Sequence, residues 1–128
     1  VIVVDVNVLA YLLIPGSRTI DAEALLNHDS VWAAPRLWRS EFRNILSNYL
    51  RADALTVAHA VALFDCAAEL IGPEEYESES SSVLELSQAS KCSAYDCEYV
   101  ALAQFLDVKL VTADKKLARA FPKLAREF

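Results

Sequence analysis

The 128-residue chain is 55% hydrophobic and 23% charged, with only 2 glycines and 4 prolines. That composition suits one compact domain over residues 1–128 and excludes disordered and fibrous classes. Eighteen acids against 12 bases leave a net charge of −6, which argues against a nucleic-acid binder held mainly by phosphate contacts.

No membrane span is expected, because Asp5, Asp21, Asp65 and Asp96 interrupt the apolar tracts before any reaches roughly 18 residues. Val1–Asp5 carries no basic region of the kind that opens a signal peptide. Three cysteines, Cys66, Cys92 and Cys97, are odd in number and show no C-x-x-C spacing. They fit a reducing compartment, the cytoplasm, and each reads as a small buried hydrophobe.

Val1–Val4 is a β-branched run that predicts a buried parallel strand, bounded by Asp5. Leu9–Ile14 is apolar and short, and Pro15-Gly16 stops it. Thr19 then reads as the cap of a helix reaching about Asn27, with Asp21 and Glu23 in its first turn. Val31–Ala34 predicts a second strand, closed by Pro35. From Arg36 to about Ala52 the spacing is helical, with Trp38, Phe42, Ile45, Leu46 and Tyr49 on one face. Arg36, Arg39 and Arg43 form a stripe on the other side and read as a solvated face. Thr56 caps the next helix, which ends before Gly72-Pro73 with Val57, Ala60, Val61, Phe64 and Ala68 facing inward.

Residues 74–82 are polar and read as solvated loop with a short edge strand near Tyr76. Val83–Ser90 and Ala94–Leu106 predict helices, Val108–Val111 a strand, and Asp114–Ala120 a short helix. Phe121–Phe128 returns to the sheet or packs on it. Strands alternating with helices mean α/β with a parallel sheet.

Function in open α/β sheets sits at the carboxyl ends of the strands. Asp5 and Asp114 stand just past two strong strands. Each reads equally well as a helix N-cap or as a functional acid. Asp96 lies near the start of a helix whose next positions on its face, Tyr99, Val100 and Ala103, are apolar, so it points toward the core side. Glu98 is rotated about 200° from it and reads as solvated. Glu41 lies beside Ile45, about 40° away, at the edge of an apolar face, and by itself reads as a boundary residue. Four carboxylates able to converge at one end of a sheet repel one another, and a hard divalent cation, Mg²⁺ or Mn²⁺, relieves that repulsion. His28 and His59 lie in other segments and read as surface or packing residues, which disfavours zinc.

The run Val3-Val-Asp5-Val-Asn7-Val-Leu9 is followed by Glu41-Phe-Arg-Asn44 and by Ser93-Ala-Tyr95-Asp96 leading into Tyr99-Val-Ala-Leu-Ala103. Last comes Leu110-Val-Thr112-Ala-Asp114-Lys115. In this order the pieces resemble the PIN-domain nucleases, and most of all the small VapC-type toxins of toxin–antitoxin pairs. The resemblance covers essentially the whole chain. It implies a three-layer fold with a central parallel sheet of four or five strands between helices. It further implies Mg²⁺- or Mn²⁺-dependent cleavage of RNA by a homodimer, and a cognate antitoxin as partner. Asp5, Glu41, Asp96 and Asp114 match the family's acidic quartet, Asn7 the polar residue after the first acid, and Thr112 the hydroxyl residue of the last motif.

On that resemblance Asp5 and Asp96 are the main metal ligands, and Asp114 and Glu41 complete the site or hold a second ion. The competing reading is an inactive nuclease-like binding module whose acidic cleft holds a basic partner segment. A phosphatase of the haloacid-dehalogenase kind wants a second acid where Asn7 stands. A receiver domain wants a phosphoacceptor Asp at the end of a middle strand, and none is obvious.

Overall fold

The computed structural model describes all of residues 1–128. Five strands and seven helices follow one another as β1 (Ile2–Val4), α1 (Val6–Leu13), α2 (Thr19–His28), β2 (Trp32–Pro35), α3 (Trp38–Arg51), α4 (Val57–Ile71), β3 (Glu75–Tyr76), α5 (Ser80–Ser90), α6 (Ala94–Leu106), β4 (Leu110–Thr112), α7 (Lys115–Ala120) and β5 (Ala125–Glu127). The sheet order is β3-β2-β1-β4-β5, and every pairing is parallel. The C-terminal segment therefore returns to the sheet as an edge strand beside β4.

The strands are short, and β1 and β2 are wholly apolar, because helices cover the sheet. Val3 pairs with Ala33 on one side and Leu110 on the other, and all three are fully buried. Helices α1 to α4 pack on one another, α5 packs along α6, and α6 lies across β1, β2 and β4. This is the three-layer α/β arrangement expected from the alternation of elements.

The chain begins in the middle of the sheet. It builds outward through β2 to β3, then crosses to β4 on the opposite flank of β1 and ends at β5. The direction of winding reverses between β1 and β4. The carboxyl ends of strands flanking such a reversal splay their following loops apart and leave a crevice. Asp5 follows β1, and Thr112 and Asp114 close β4, so the topology alone brings these residues to that crevice.

Three local expectations are corrected. Thr19 is the first residue of α2, not its cap: Arg18 holds the cap position without a side-chain bond. The Thr19 hydroxyl instead accepts from the Gly16 N–H at 2.9 Å, closing the preceding turn. On α4 the buried residues are Ala60, Ala67 and Ile71, while Val57 and Val61 are 67% and 53% exposed. The helix is apolar nearly all round, so spacing could not choose the face. Packing of the small Ala60 and Ala67 against the neighbouring elements does. α5 starts at Ser80, three residues earlier than its apolar positions suggest. The α4 cap is as expected, Thr56 accepting from the His59 N–H at 3.2 Å.

Phe42 is completely buried, with Trp38 and Phe64 around it. Phe42→Ala should cost about 3–5 kcal/mol, read as a lowered denaturant midpoint. Phe105→Ala, at a residue 79% exposed, should shift stability by no more than about 0.5 kcal/mol.

Candidate active site

Asp5 is the most constrained side chain of the crevice. Its Oδ1 accepts from the Val8 N–H at 3.1 Å and so caps α1. Its Oδ2 accepts from the Ala113 N–H at 3.0 Å and from the Thr112 hydroxyl. Thr112, fully buried, accepts in turn from the Asp114 N–H at 3.0 Å. Asp114 then caps α7, its Oδ1 taking the Lys116 and Leu117 N–H groups at 2.9 and 3.2 Å. One hydrogen-bonded chain thus joins β1, α1, β4 and α7. Asp5 and Asp114 are both helix caps, and their cap geometry is what orients their carboxylates.

Glu41 and Asp96 approach from the helices. Glu41, in the first turn of α3, accepts from the Tyr99 hydroxyl of α6 at 2.6 Å. Asp96, in the first turn of α6, gives its N–H to the Ser93 hydroxyl that caps the helix. The four acids share one field. Burial is the main force pushing the Asp5, Glu41 and Asp96 carboxyls above their ordinary range. Asp96 and Asp5 push Glu41 up further, and Asp114 does the same to Asp96. Opposing hydrogen bonds from Thr112, Val8 and Ala113 hold Asp5 down in part, and the Tyr99 hydroxyl does so for Glu41. No three Asp, Glu, His or Cys side chains stand close enough to share one ion. The acids are neighbours in field rather than joined at a point.

A model of the PIN domain family matches residues 2–121. The chain belongs to the PIN-domain family. It is similar to Ribonuclease VapC3 of Pyrobaculum aerophilum, with 28% identity over 126 residues, 96% of each chain. Its fold is that of two solved structures. The crystal structure of PAE2754 from Pyrobaculum aerophilum aligns with a TM-score of 0.78 at 21% identity, over 98% of this chain and 89% of that one. The crystal structure of FitAcB from Neisseria gonorrhoeae aligns with a TM-score of 0.75 at 16% identity, over 98% of this chain and 96% of that one.

The donor set of this PIN domain fits a hard divalent cation. It offers carboxylate oxygens and no imidazole or thiolate. His28 and His59 are exposed on distant segments. Asp114 keeps Oδ2 and Glu41 keeps Oε2 outside the hydrogen bonds described. Asp96 makes no side-chain bond of ordinary length, although Ser93 lies close enough to lower its pKa. Asn7, exposed on the first turn of α1, faces the same end of the molecule.

Several surrounding residues differ from their expected roles. Tyr99, expected only as part of an apolar stripe, is the buried donor to Glu41. Its phenol is pushed far above its ordinary value by burial and by that carboxylate, so it stays protonated and donates. A buried tyrosine beside an acid motif signals such a partner, because its hydroxyl needs one. Glu98 is not freely solvated. It is half-buried, accepts from the Ser78 hydroxyl, and its charge also raises Glu41.

The arginine stripe is likewise engaged. Arg39 grips Glu75 through Nε–Oε1 at 2.7 Å and Nη2–Oε2 at 2.8 Å, tying the edge strand β3 to α3. That grip holds the Glu75 carboxyl below its ordinary value. Arg43 lies over the Phe64 ring at 4.9 Å. Of the cysteines only Cys97 is buried, Cys92 is half-buried, and Cys66 is exposed on the outer face of α4.

Raised carboxyl pKa values mean that the fold favours the protonated forms. Their stabilising contribution is complete below the ordinary range near about 4 and is lost as pH rises through the raised values. In EDTA, wild-type melting temperature should therefore fall as pH climbs from that range toward neutrality. Asp96→Asn should flatten this decline and match or exceed wild-type stability at pH 7, by about 1 kcal/mol. Asp5→Asn should behave differently. An amide cannot accept on both sides, so one of the Val8 and Ala113 N–H groups loses its partner at about 1–3 kcal/mol. Thermal melts of the three proteins in EDTA decide this, and an Asp96→Asn protein that melts well below wild type would make Asp96 a structural residue.

Proposed function

We propose that this PIN domain is a ribonuclease that hydrolyses RNA phosphodiester bonds with Mg²⁺ or Mn²⁺, and that it is the toxin of a toxin–antitoxin pair. The observation that carries the proposal is the convergence of Asp5, Glu41, Asp96 and Asp114 in one field at the crevice between β1 and β4. Acids gathered under mutual repulsion have a use when they hold a cation, and the similarity to Ribonuclease VapC3 supports the reaction.

Asp5 and Asp96 would hold the ion, with Asp114 through Oδ2 and Glu41 completing the site. A bound divalent cation supplies charge to a phosphate oxygen and acidity to a water. The protein's own groups do the rest. Thr112 and the Ala113 N–H fix the Asp5 carboxylate in one rotamer, so its orientation needs no reorganisation when substrate arrives. Glu41, whose Oε2 lies outside the hydrogen bond to Tyr99, would take the proton of the attacking water there. Tyr99 holds the other oxygen and keeps that carboxylate aimed. Asn7 offers an amide to the phosphate or to a water beside it. In-line attack leaves a 5′-phosphate and a 3′-hydroxyl.

The same acids would suit a basic protein partner. A cognate antitoxin would insert a basic residue among the four acids and so block the site. A homodimer working in the cytoplasm, as one PIN-like domain per chain, completes the proposal. No helix is long and apolar enough to cross a membrane.

Cleavage of a structured RNA with Mg²⁺, Mn²⁺ or EDTA tests the reaction. Wild type should cut with either metal and not with EDTA. Asp96→Asn should lose more than roughly 100-fold in rate, beyond the 10–100-fold typical of residues that merely support a ligand. RNA that survives every condition favours the binding-module reading. Mn²⁺ should also raise the wild-type melting temperature, because it binds the folded cluster, and should raise that of Asp96→Asn less.

A further inference from the structure

Two of the three cysteines meet at the start of α6. Ser93 caps that helix, so Cys92 is the residue just before the cap and Cys97 the fourth residue after it. Side chains at these two positions fold over the cap and pack on each other, the hydrophobic staple that sets how a chain enters a helix. Here both arms of the staple are thiols. The Cys97 Sγ lies 4.0 Å from the Cys92 carbonyl oxygen, and Cys92 is close enough for its charge to bear on the Cys97 thiol. The Ser90 hydroxyl joins them, 3.9 Å from the Cys97 Sγ and accepting the Cys92 N–H at 3.1 Å. Two apolar side chains would serve the packing equally well, and a pair of thiols adds a chemistry that packing does not need.

The two thiols differ in access. Cys97 is buried, and its backbone is fixed in the helix by its N–H on the Ser93 carbonyl at 3.0 Å. Cys92 is half-buried and lies in the turn that joins α5 to α6, just after Lys91 at φ 67°. Serine hydroxyls hold that turn: Ser90 takes the Cys92 N–H, and Ser87 donates to the Cys92 carbonyl at 2.7 Å. Hydroxyls rotate freely, so the turn is the part able to move, and Cys92 is the thiol that solvent reaches. Between the cysteines stand Ser93, whose hydroxyl accepts the Asp96 N–H at 3.1 Å, and Asp96 itself. A bond between the sulfurs would close a ring around the helix cap and one acid of the crevice. Cys66 is exposed on the outer face of α4 and takes no part.

We infer that Cys92 and Cys97 are a redox modification site: a small disulfide such as oxidised glutathione converts them to a reversible intramolecular disulfide, and the bridge weakens the acidic site through Asp96. The Cys92 sulfur attacks one sulfur of the oxidant, the oxidant's S–S bond breaks, and one thiol leaves with the Cys92 proton. The Cys97 sulfur then attacks the Cys92 sulfur, the mixed S–S bond breaks, and a second thiol leaves with the Cys97 proton. The protein loses two hydrogens and two electrons, and the oxidant becomes two thiols. An S–S bond of about 2.05 Å with Cβ atoms about 3.5–4.5 Å apart draws the Cys92 turn onto the helix. That movement loosens its bonds to Ser87 and Ser90 and shifts the Ser93 cap that carries Asp96. Disulfides in a reducing compartment are transient, which suits a switch rather than a fixed brace. The loss of cleavage rests on the ribonuclease reading; formation of the bridge does not.

The test uses the full chain carrying Cys66→Ser, because the exposed Cys66 would take up oxidant on its own. The folded protein is treated with oxidised glutathione. Intact mass, RNA cleavage with Mn²⁺ and the rise in melting temperature given by Mn²⁺ are then read before and after dithiothreitol. The oxidised protein should be lighter by two hydrogens and retain no glutathione. Its cleavage should fall roughly 10–100-fold, the range for disturbing the support of a metal ligand, and its response to Mn²⁺ should shrink. Dithiothreitol should restore all three. Adding Cys92→Ser should leave cleavage at the parent rate and make it indifferent to the oxidant. Adding Cys97→Ala should stop the reaction at the mixed disulfide, with one glutathione held on Cys92; a protein that holds none overturns Cys92 as the entry thiol. If both thiols stay free in the parent, the inference is overturned while the ribonuclease reading stands. A bridge that forms but changes neither cleavage nor the Mn²⁺ response overturns the switch. If no metal gives cleavage yet the bridge diminishes the Mn²⁺ response, the switch stands and the ribonuclease reading falls. If the reduced protein neither cuts RNA nor responds to Mn²⁺, both fall.

Discussion

The Asp5 carboxylate is the joint on which the rest of the molecule turns. It takes donors from α1 through Val8 and from the end of β4 through Thr112 and Ala113. These three contacts fix where the central strand stops, where the first helix starts, and how far β4 stands from β1 at its carboxyl end. A carboxylate that accepts on both oxygens can be replaced by no neutral side chain of the same size, since an amide presents a donor on one side. The cap and the functional reading of Asp5 are therefore not alternatives. The hydrogen bonds that cap the helix are the ones that hold the acid at the crevice.

Gathering acids in this way has an energetic cost. Burial disfavours the charge on Asp5, Glu41 and Asp96, and each acid adds to the cost of the next. The cost is offset by a continuous apolar core. It runs from Val3, Val4 and Leu110 through Trp32 and Ala33 to Trp38, Phe42 and Val100, all essentially without solvent contact. The hydrogen bonds themselves differ in kind. Asp5 and Asp114 are held by backbone N–H groups at the starts of helices, where the oriented peptide dipoles favour negative charge. Glu41 is held by a neutral phenol, and Asp96 by little beyond its place at the helix start. The gradation runs from a fixed acid to a free one. The first two acids are tied to backbone donors, and the last two are not.

Much of this was legible in the sequence, and what was not has a physical reason. The β-branched run before Asp5, the acids after two strands, the caps at Thr56 and Asp114 and the helical spacing of Trp38, Phe42 and Leu46 are local signals, and the elements follow them. The pairings between distant segments are nonlocal. Thr112 reaches Asp5 across 107 residues, Tyr99 reaches Glu41 across 58, and Arg39 reaches Glu75 across 36. No periodicity along one segment carries the identity of a partner in another. The α4 face failed for the opposite reason: almost every position there is apolar, so a pattern existed but did not discriminate. Glu98 fell between the two. Helical phasing turns it away from Asp96, but it does not reveal that Ser78 and the half-buried Glu41 stand on the other side.

The helix α3 shows how one short element can serve three demands without compromise. Its fourteen residues advance by about 100° each, which leaves room for three separate stripes. Trp38, Phe42 and Leu46 form the buried one and anchor the helix. Arg39 and Arg43 lie on the far flank, continued by Arg36 just before the helix, where Arg39 locks the edge strand through Glu75 and Arg43 covers Phe64. Glu41, Ile45 and Tyr49 form the remaining edge, which begins at the acids and ends in a neighbouring cleft. The positive charges are thus held away from the acidic crevice by the helix itself, and Arg36 and Arg39 pair with Glu75 and Glu77. An arginine at position 41 itself would stand where Glu41 meets Tyr99 and would neutralise the site. The separation keeps the negative field at the crevice intact, and that field is what a cation or a partner's basic side chain would bind.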